Sequence, residues 1–499
     1  MNKDTRPKLL TRFLQSSRTF PVLTAVAAGL YPLLFYASNN YTLVNSGKHL
    51  LYFLGVFLVA PMVLFFAADR IVRLSFFSGI APRVLPFLNA FTFLFLLMVA
   101  LVAGFPPLPI AGVFLAAGIY AFWFYKTLKK LVVIQLILAV IATFYIVPRV
   151  YEQIMHSTQW LEQPDAIADV QFTKKPNVYF IQPDGYVSFS ELKKGYYGLQ
   201  ESPLESFLEN ERFTLYPNFR SNYASTLTSN SSVFSMKHHY YHGGPSFSET
   251  LKARDIVISN NAVLDVFKGN GYRTVYLAEK PYMLVNKPKM GFDESNYLSK
   301  DVKYISTGLG EKKDVLPVLE NYLEDQTEPT FYFIEIFSPG HVTVRKNKSQ
   351  GAEKERALWL EDLPETNAKV MEAVSMIRKN DPEGLVVIMA DHGGFVGMDF
   401  MNQAYEKTQD RDLIYSIFSI QMAVKWPDGD APDASDSLKT SVNLFRVLFS
   451  YLGDSPELLD HLEEDVSYIP ISKGARRGVY AYIDENGEVV FQKLNRIPK

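Results

Sequence analysis

The chain has 499 residues, 48% of them hydrophobic, with a net charge of -2 and no cysteine. Such a length allows more than one domain, and near-neutral charge gives no reason to expect a nucleic-acid partner. The absence of cysteine excludes a disulfide framework, a thiol nucleophile and any Cys-based metal site. These averages conceal a split between an apolar N-terminal third and a mixed remainder.

Five apolar stretches fall in the first 150 residues, at 20–37, 50–68, 84–105, 107–125 and 131–148. Each is close to the ~20 residues that carry a helix across a bilayer core. Polar or helix-breaking residues separate them: Ser38-Asn39-Asn40, Asp69-Arg70, Gly104 to Pro109 and Lys126 to Lys130. A cleaved signal peptide fits poorly, because four more apolar segments follow the first. Lys3, Arg6, Lys8, Arg12 and Arg18 precede the first span. Arg70, Arg73 and Arg83 lie between spans two and three, and Lys126, Lys129 and Lys130 between four and five. The other two loops hold only Lys48. By the positive-inside rule the N-terminus is cytoplasmic, and an odd number of spans delivers the remainder of the chain outside. Trp123, Tyr125 and Tyr145 sit near span ends, where aromatic rings favour the interface. The expected organisation is a cytoplasmic N-terminus over 1–19, a five-span transmembrane domain over 20–148, a polar connector over 149–175 and an extracytoplasmic domain over 176–499.

From Pro176 onward, strand-like and helix-like segments alternate. Asn177 to Gln182, Tyr272 to Ala278, Thr330 to Phe337, Val386 to Ala390 and Ile417 to Trp426 read as strands. Asn261 to Lys268, Glu365 to Arg378 and Ser441 to Leu452 read as helices. This alternation predicts an α/β domain with a mostly parallel sheet sandwiched by helices. Ligands of such sheets bind at the carboxyl ends of the strands. Asp184, His341 and the pair Asp391-His392 each follow an apolar strand, so three strands present carboxylates and imidazoles at one sheet edge. Carboxylate oxygen with imidazole nitrogen suits zinc or manganese; a polar strand cap is the alternative for any one of these ends taken alone.

Between the first two strands lies SNYASTLTSNSSVFSMKHHYYHGG, residues 221–244, with seven Ser or Thr in its first twelve positions. Composition alone is compatible with a solvated loop. A hydroxyl beside a metal is also a usable nucleophile. The order of acidic strand end, hydroxyl-rich segment, Gly-His and Asp-His-Gly resembles the alkaline phosphatase superfamily. With five spans in front, it is more narrowly similar to the lipid A phosphoethanolamine transferases and the lipoteichoic acid synthases. In the former the nucleophilic threonine heads a T-x-x-S-x-x-x-x-F pattern, which Thr226, Ser229 and Phe234 match.

That resemblance implies Thr226 as nucleophile and metal ligand, with Ser225 and Thr228 as fallbacks. It implies Asp184, Asp391 and His392 as further metal ligands, and His341 in catalysis or substrate binding. The cofactor it implies is a divalent metal, zinc or manganese, at one site, with a second site left open. Both families often carry Glu where Asp184 stands. The transferases carry another His about a dozen residues after the Asp-His pair and are typically disulfide-bonded, whereas MDFMNQAYEK holds no His and the chain no Cys. Formylglycine sulfatases need a C/S-x-P-x-R context, which does not occur here. His238, His239 and His242 are near enough to Thr226 to bind substrate, or they form a helix end before Gly243-Gly244. Arg345, four residues past His341, can hold a phosphoryl oxygen bidentately or stand on an exposed loop. His49, His156 and His461 read as structural.

The implied activity is transfer of a phospholipid-derived head group, phosphoethanolamine or phosphoglycerol, to an envelope glycan or lipid through phosphothreonine. The donor would be a phospholipid, the acceptor a glycan or lipid, and the location the bacterial cytoplasmic membrane with the catalytic domain outside. A phosphodiesterase or phosphatase, or a non-catalytic lipid sensor of this architecture, remains an alternative.

Overall fold

The computed structural model describes residues 9–74, 79–243, 250–305 and 310–495. Lys3, Arg6, Lys8 and Gly244, used in the sequence reading, lie outside the described residues. The chain divides into two compact units, one of residues 1–156 with 285–287 and 303–310, the other holding the rest.

Among the described residues of the first unit, four helices are long and apolar enough to cross a membrane. They are α1 (Pro21–Asn39), α2 (Gly47–Ile71), α3 (Ala81–Val102) and α5 (Tyr125–Met155). The segment expected as the fourth of five spans forms a shorter apolar helix, α4 (Pro107–Trp123), of 17 residues. At 1.5 Å per residue it is about 26 Å long, a little under the ~30 Å hydrocarbon core. Proline in its first turn sets its start, since the missing N–H is lost there at no cost. α5 runs on to Met155, so residues 149–155, expected in the connector, are its last turns.

Close approach and polar pairing hold this bundle. A Cβ on Gly29 of α1 would come to 1.7 Å from the Phe57 carbonyl oxygen, inside the π-helical turn Gly55–Val59 of α2. Small residues let apolar helices approach in this way. Asn89 of α3 and Gln135 of α5, both buried, exchange two hydrogen bonds of 2.9 and 3.0 Å, and Asn89 also donates to the Thr24 carbonyl of α1.

The second unit is built on a seven-stranded sheet in the order β2-β7-β6-β1-β5-β3-β4. Its strands are β1 (Val178–Asp184), β2 (Thr214–Leu215), β3 (Arg273–Ala278), β4 (Glu294–Ser295), β5 (Thr330–Pro339), β6 (Leu385–Met389) and β7 (Met422–Lys425). The five from β6 to β4 run parallel, whereas β7 runs antiparallel to β6 and to its other neighbour β2. The sheet is therefore mixed at one edge. β1, β5 and β6 are buried almost throughout, which accounts for their continuous apolar runs. Helices α6 (Thr226–Ser235), α7 (Ala262–Gly269), α8 (Ala352–Asn380), α9 (Arg411–Phe418) and α10 (Leu444–Gly453) connect and cover these strands.

The expected strand 417–426 is corrected here: its first two residues end α9, and only Met422–Lys425 is strand. Asp410 Oδ1 accepts from the Asp412 and Leu413 amides and so starts α9, as an N-cap does. A separate antiparallel sheet, β10-β9-β8, comprises Ser467–Ile471 (β8), Gly478–Ile483 (β9) and Val489–Lys493 (β10). It was not anticipated from the sequence.

Candidate active site

β1 ends at Asp184, β5 runs into Gly340-His341, and β6 is followed by Ala390-Asp391-His392. Because these three strands are adjacent and parallel, their ends form one edge. The loops there are tight. Gly185 has φ +65°, and a Cβ on it would lie 2.0 Å from the Gly340 carbonyl oxygen, so only glycine closes this turn. Gly393 passes the Ser416 carbonyl so closely that a Cβ would come to 2.2 Å. The glycine after Asp391-His392 is thus the condition for folding that loop onto α9.

The hydroxyl-rich segment becomes a helix. Ser225 stands at the N-cap of α6 and Thr226 opens it, half-buried. Thr226 Oγ1 lies 3.4 Å from Asp184 Oδ1 and 3.3 Å from His392 Nε2. His392 Nε2 is 3.6 Å from Asp184 Oδ1 and 3.4 Å from Asp391 Oδ2. Asp184, Asp391 and His392 are all buried, with one ligand atom each within 4.8 Å of the others. The fallback hydroxyls turn elsewhere: Ser225 Oγ and Thr228 Oγ1 bond to each other at 2.8 Å, and Thr228 also donates to the Ser225 carbonyl.

Three observations fit this cluster to a cation. First, the His392 ring faces the Gly393 carbonyl through Nδ1 at 2.9 Å. Donation there fixes the tautomer and leaves a lone pair on Nε2, the usual arrangement of a metal-binding histidine. Second, Asp391 Oδ1 accepts from the Gly185 and His392 amides, while its buried Oδ2 makes no hydrogen bond. An unpaired buried carboxylate oxygen is costly. Third, the four measured separations of 3.3 to 3.6 Å exceed ordinary hydrogen bonds. Ligands held about 2.0–2.1 Å from a tetrahedral zinc stand about 3.3 Å from one another. Donor set and spacing therefore suit zinc, with manganese also compatible in ligand type.

The electrostatics agree. Burial opposes the His392 imidazolium, but the Asp391 and Asp184 carboxylates and the Gly393 carbonyl outweigh it and raise the ring above its ordinary value. Burial raises Asp391, against the pull of His392 and with the help of Asp184. Asp391 and His392 are thus both drawn toward their protonated forms, where a divalent ion would satisfy them together with the Asp184 carboxylate.

The remaining candidates are dispersed. The His341 ring centre is 5.6 Å from that of His392, and its Nδ1 meets the Val342 carbonyl at 2.7 Å, leaving Nε2 to act. Burial, with His392 adding, lowers His341 to about 4, so the ring is neutral at pH 7. Arg345 is exposed, on the loop before a short 3-10 turn. His238 and His239 do not offer the substrate contacts expected of them. His238 meets the Tyr223 hydroxyl and the Glu464 carbonyl at 3.0 and 2.8 Å. His239 meets the Thr228 carbonyl and the Tyr241 amide, both at 3.0 Å. Both rings are buried with both nitrogens engaged inside the protein. His242 packs on Trp160, with ring centres 4.9 Å apart.

One acidic group was missed. Glu335 is buried on β5 and accepts from the Tyr276 hydroxyl. Burial pushes it up to about 8 against the restraint of that hydroxyl, and the Asp391 and Asp184 charges add to the rise. A carboxylate inside the apolar run TFYFIEIF was the available signal.

No family model matches the chain, and no curated protein matches it. It is similar to several solved structures. The integral membrane lipooligosaccharide phosphoethanolamine transferase A (EptA) from Neisseria meningitidis is 14% identical, with a TM-score of 0.41, over 86% of this chain and 95% of that one. The periplasmic domain of EcEptC from Escherichia coli is 13% identical, with a TM-score of 0.41, over 62% of this chain and 93% of that one. The lipoteichoic acid synthase LtaP from Listeria monocytogenes is 15% identical, with a TM-score of 0.43, over 65% and 91%.

Proposed function

We propose that the chain is a membrane-bound, metal-dependent phosphotransferase. It moves a phospholipid head group, phosphoethanolamine or phosphoglycerol, to an envelope glycan or lipid through phosphorylated Thr226. The observation that carries this reading is the set of 3.3 to 3.6 Å separations uniting Thr226 Oγ1, Asp184, Asp391 and His392. Asp184, Asp391, His392 and Thr226 would hold the divalent ion, zinc or manganese. Bound there, it lowers the hydroxyl pKa and offsets phosphoryl charge.

In the first half-reaction Thr226 Oγ forms a bond to phosphorus, and the bond from phosphorus to the diacylglycerol oxygen breaks. The threonine proton ends on that departing oxygen. In the second, an acceptor hydroxyl oxygen attacks the same phosphorus, the bond to Thr226 Oγ breaks, and the acceptor's proton returns to the threonine. His341, neutral at pH 7 with Nε2 unprotonated, is the proposed carrier of both protons. Arg345 is retained as a phosphoryl contact once substrate is present.

The apolar helices support a multi-pass anchor, read as five spans when α4 is counted. Lysine and arginine distribution supports the reading in which the second unit lies outside the bacterial cytoplasmic membrane. Anchoring suits a donor that does not readily leave the bilayer. The full chain should release diacylglycerol from micelles of phosphatidylethanolamine or phosphatidylglycerol, with the head-group phosphate recovered on Thr226. Release from neither lipid would defeat the proposal.

A further inference from the structure

Gln182 of β1 and Asn230 of α6 face each other in the interior, with relative exposures of 2% and 0%. Each side-chain amide donates to the other, Gln182 Nε2 to Asn230 Oδ1 at 2.9 Å and Asn230 Nδ2 to Gln182 Oε1 at 2.7 Å. Two residues further along the strand is Asp184, and four residues earlier in the helix is Thr226. That second pair is the 3.4 Å contact of the active site. Strand and helix are thus matched at two successive rungs. Two strand residues advance about 6.7 Å and four helical residues about 6.0 Å, so both rungs are in step.

We infer that the Gln182–Asn230 pair is a positioning clasp, setting the axial register of α6 on β1 so that the Thr226 oxygen meets Asp184 and His392. Sliding the helix by one residue would move Thr226 about 1.5 Å and break both amide bonds at once. Apolar side chains would fill the same space but tolerate such a slip, because hydrophobic contact is non-directional. Misplacement of a reacting group by about 1 Å can cost on the order of a hundredfold in rate. Other hydroxyls of the helix bond within this same region. Ser221 Oγ meets Ser229 Oγ at 2.8 Å, and Ser231 Oγ donates to the Leu227 carbonyl. Among the described residues, the amide pair supplies the side-chain hydrogen bonds from helix to β1 below the reacting atoms.

This inference rests on Thr226 being the nucleophile. The test uses the full chain in micelles, with head-group-labelled phosphatidylethanolamine or phosphatidylglycerol as probe, and follows single-turnover labelling of Thr226. Gln182→Met combined with Asn230→Leu keeps volume and leaves no orphaned amide. That pair is expected to fold, retain metal and keep its half-saturating lipid concentration within about twofold, while labelling about 10- to 100-fold more slowly. The exchanged pair, Gln182→Asn with Asn230→Gln, retains both donors and acceptors and should recover most of the rate. Wild-type labelling speed in the apolar pair would overturn the clasp. So would failure of the apolar pair to fold beside a folded exchanged pair, since the amides would then serve the fold alone. An unlabelled wild type instead defeats the assignment of Thr226, which separates the two failures.

Discussion

Thr226 Oγ1 stands 3.3 Å from His392 Nε2, although 166 residues separate them in the chain. The same oxygen is 3.4 Å from Asp184 Oδ1, and both separations are longer than ordinary hydrogen bonds. Thr226 Oγ1, Asp184 Oδ1, Asp391 Oδ2 and His392 Nε2 thus face a common centre. This is a ligand set before it is a hydrogen-bond network, and the expectations below follow from that.

Thr226→Ala removes the only hydroxyl of the segment that reaches Asp184 and His392. Loss of activity on the order of a thousandfold or more is expected, measured as diacylglycerol release, with no phosphate adduct on the chain. Thr226→Ser keeps the oxygen and should retain activity within about 10- to 100-fold. Label on Ser225 or Thr228 in the wild type would move the nucleophile.

Asp391→Asn keeps an oxygen to accept from the Gly185 and His392 amides, and it replaces the unpaired oxygen by NH2. The fold should survive, while metal affinity falls by about 100-fold or more, since loss of even an outer-shell partner costs about 10- to 100-fold. Elemental analysis of the purified chain checks this. Unchanged metal content would reduce the Asp-His pair to a strand cap.

Glu335 provides a pH test in metal-free protein. Its folded-state value of about 8 lies above the ordinary carboxyl value. Between roughly pH 4.5 and 8 the folded chain therefore holds a proton that the unfolded chain has released, and stability falls as pH rises through that window. Glu335→Gln carries no titrating group. Its melting temperature should gain on the wild type with rising pH and level off above about 8. A gap that does not change with pH would contradict the assignment.

Topology is open to reporter fusions. The proposed orientation has eleven Lys and Arg residues in one set of segments against one in the opposite loops. A reporter active only outside the cytoplasm should work at the chain's C-terminus and fail beside Lys129. The reverse pattern would remove an envelope role.

The parallel strands that carry the site were legible because complete burial leaves apolar runs, and each run stops where chemistry begins. Asp184, Asp391 and His392 could therefore be placed at one edge from sequence. The run SIFSIQMAVKW misled because a helix end and a strand are both apolar there. Periodicity cannot separate them over so few residues. His238 and His239 looked available because their partners, the Glu464 and Thr228 carbonyls, are backbone atoms that no residue pattern marks. The Gln182–Asn230 clasp joins positions 48 residues apart, and only the fold reveals that they meet.

The Asn89–Gln135 pair has a consequence for biosynthesis. Asn89 is made 46 residues before its partner, an interval of about 2 to 9 s at ~5–20 residues per second. During that delay the Thr24 carbonyl is, among the described residues, the one partner already made that receives its amide. Shielding α3 within the insertion machinery until α5 emerges would avoid presenting an unsatisfied amide to lipid. A nascent chain stalled before Gln135 should therefore remain crosslinkable to that machinery through α3, and one stalled well beyond it should not.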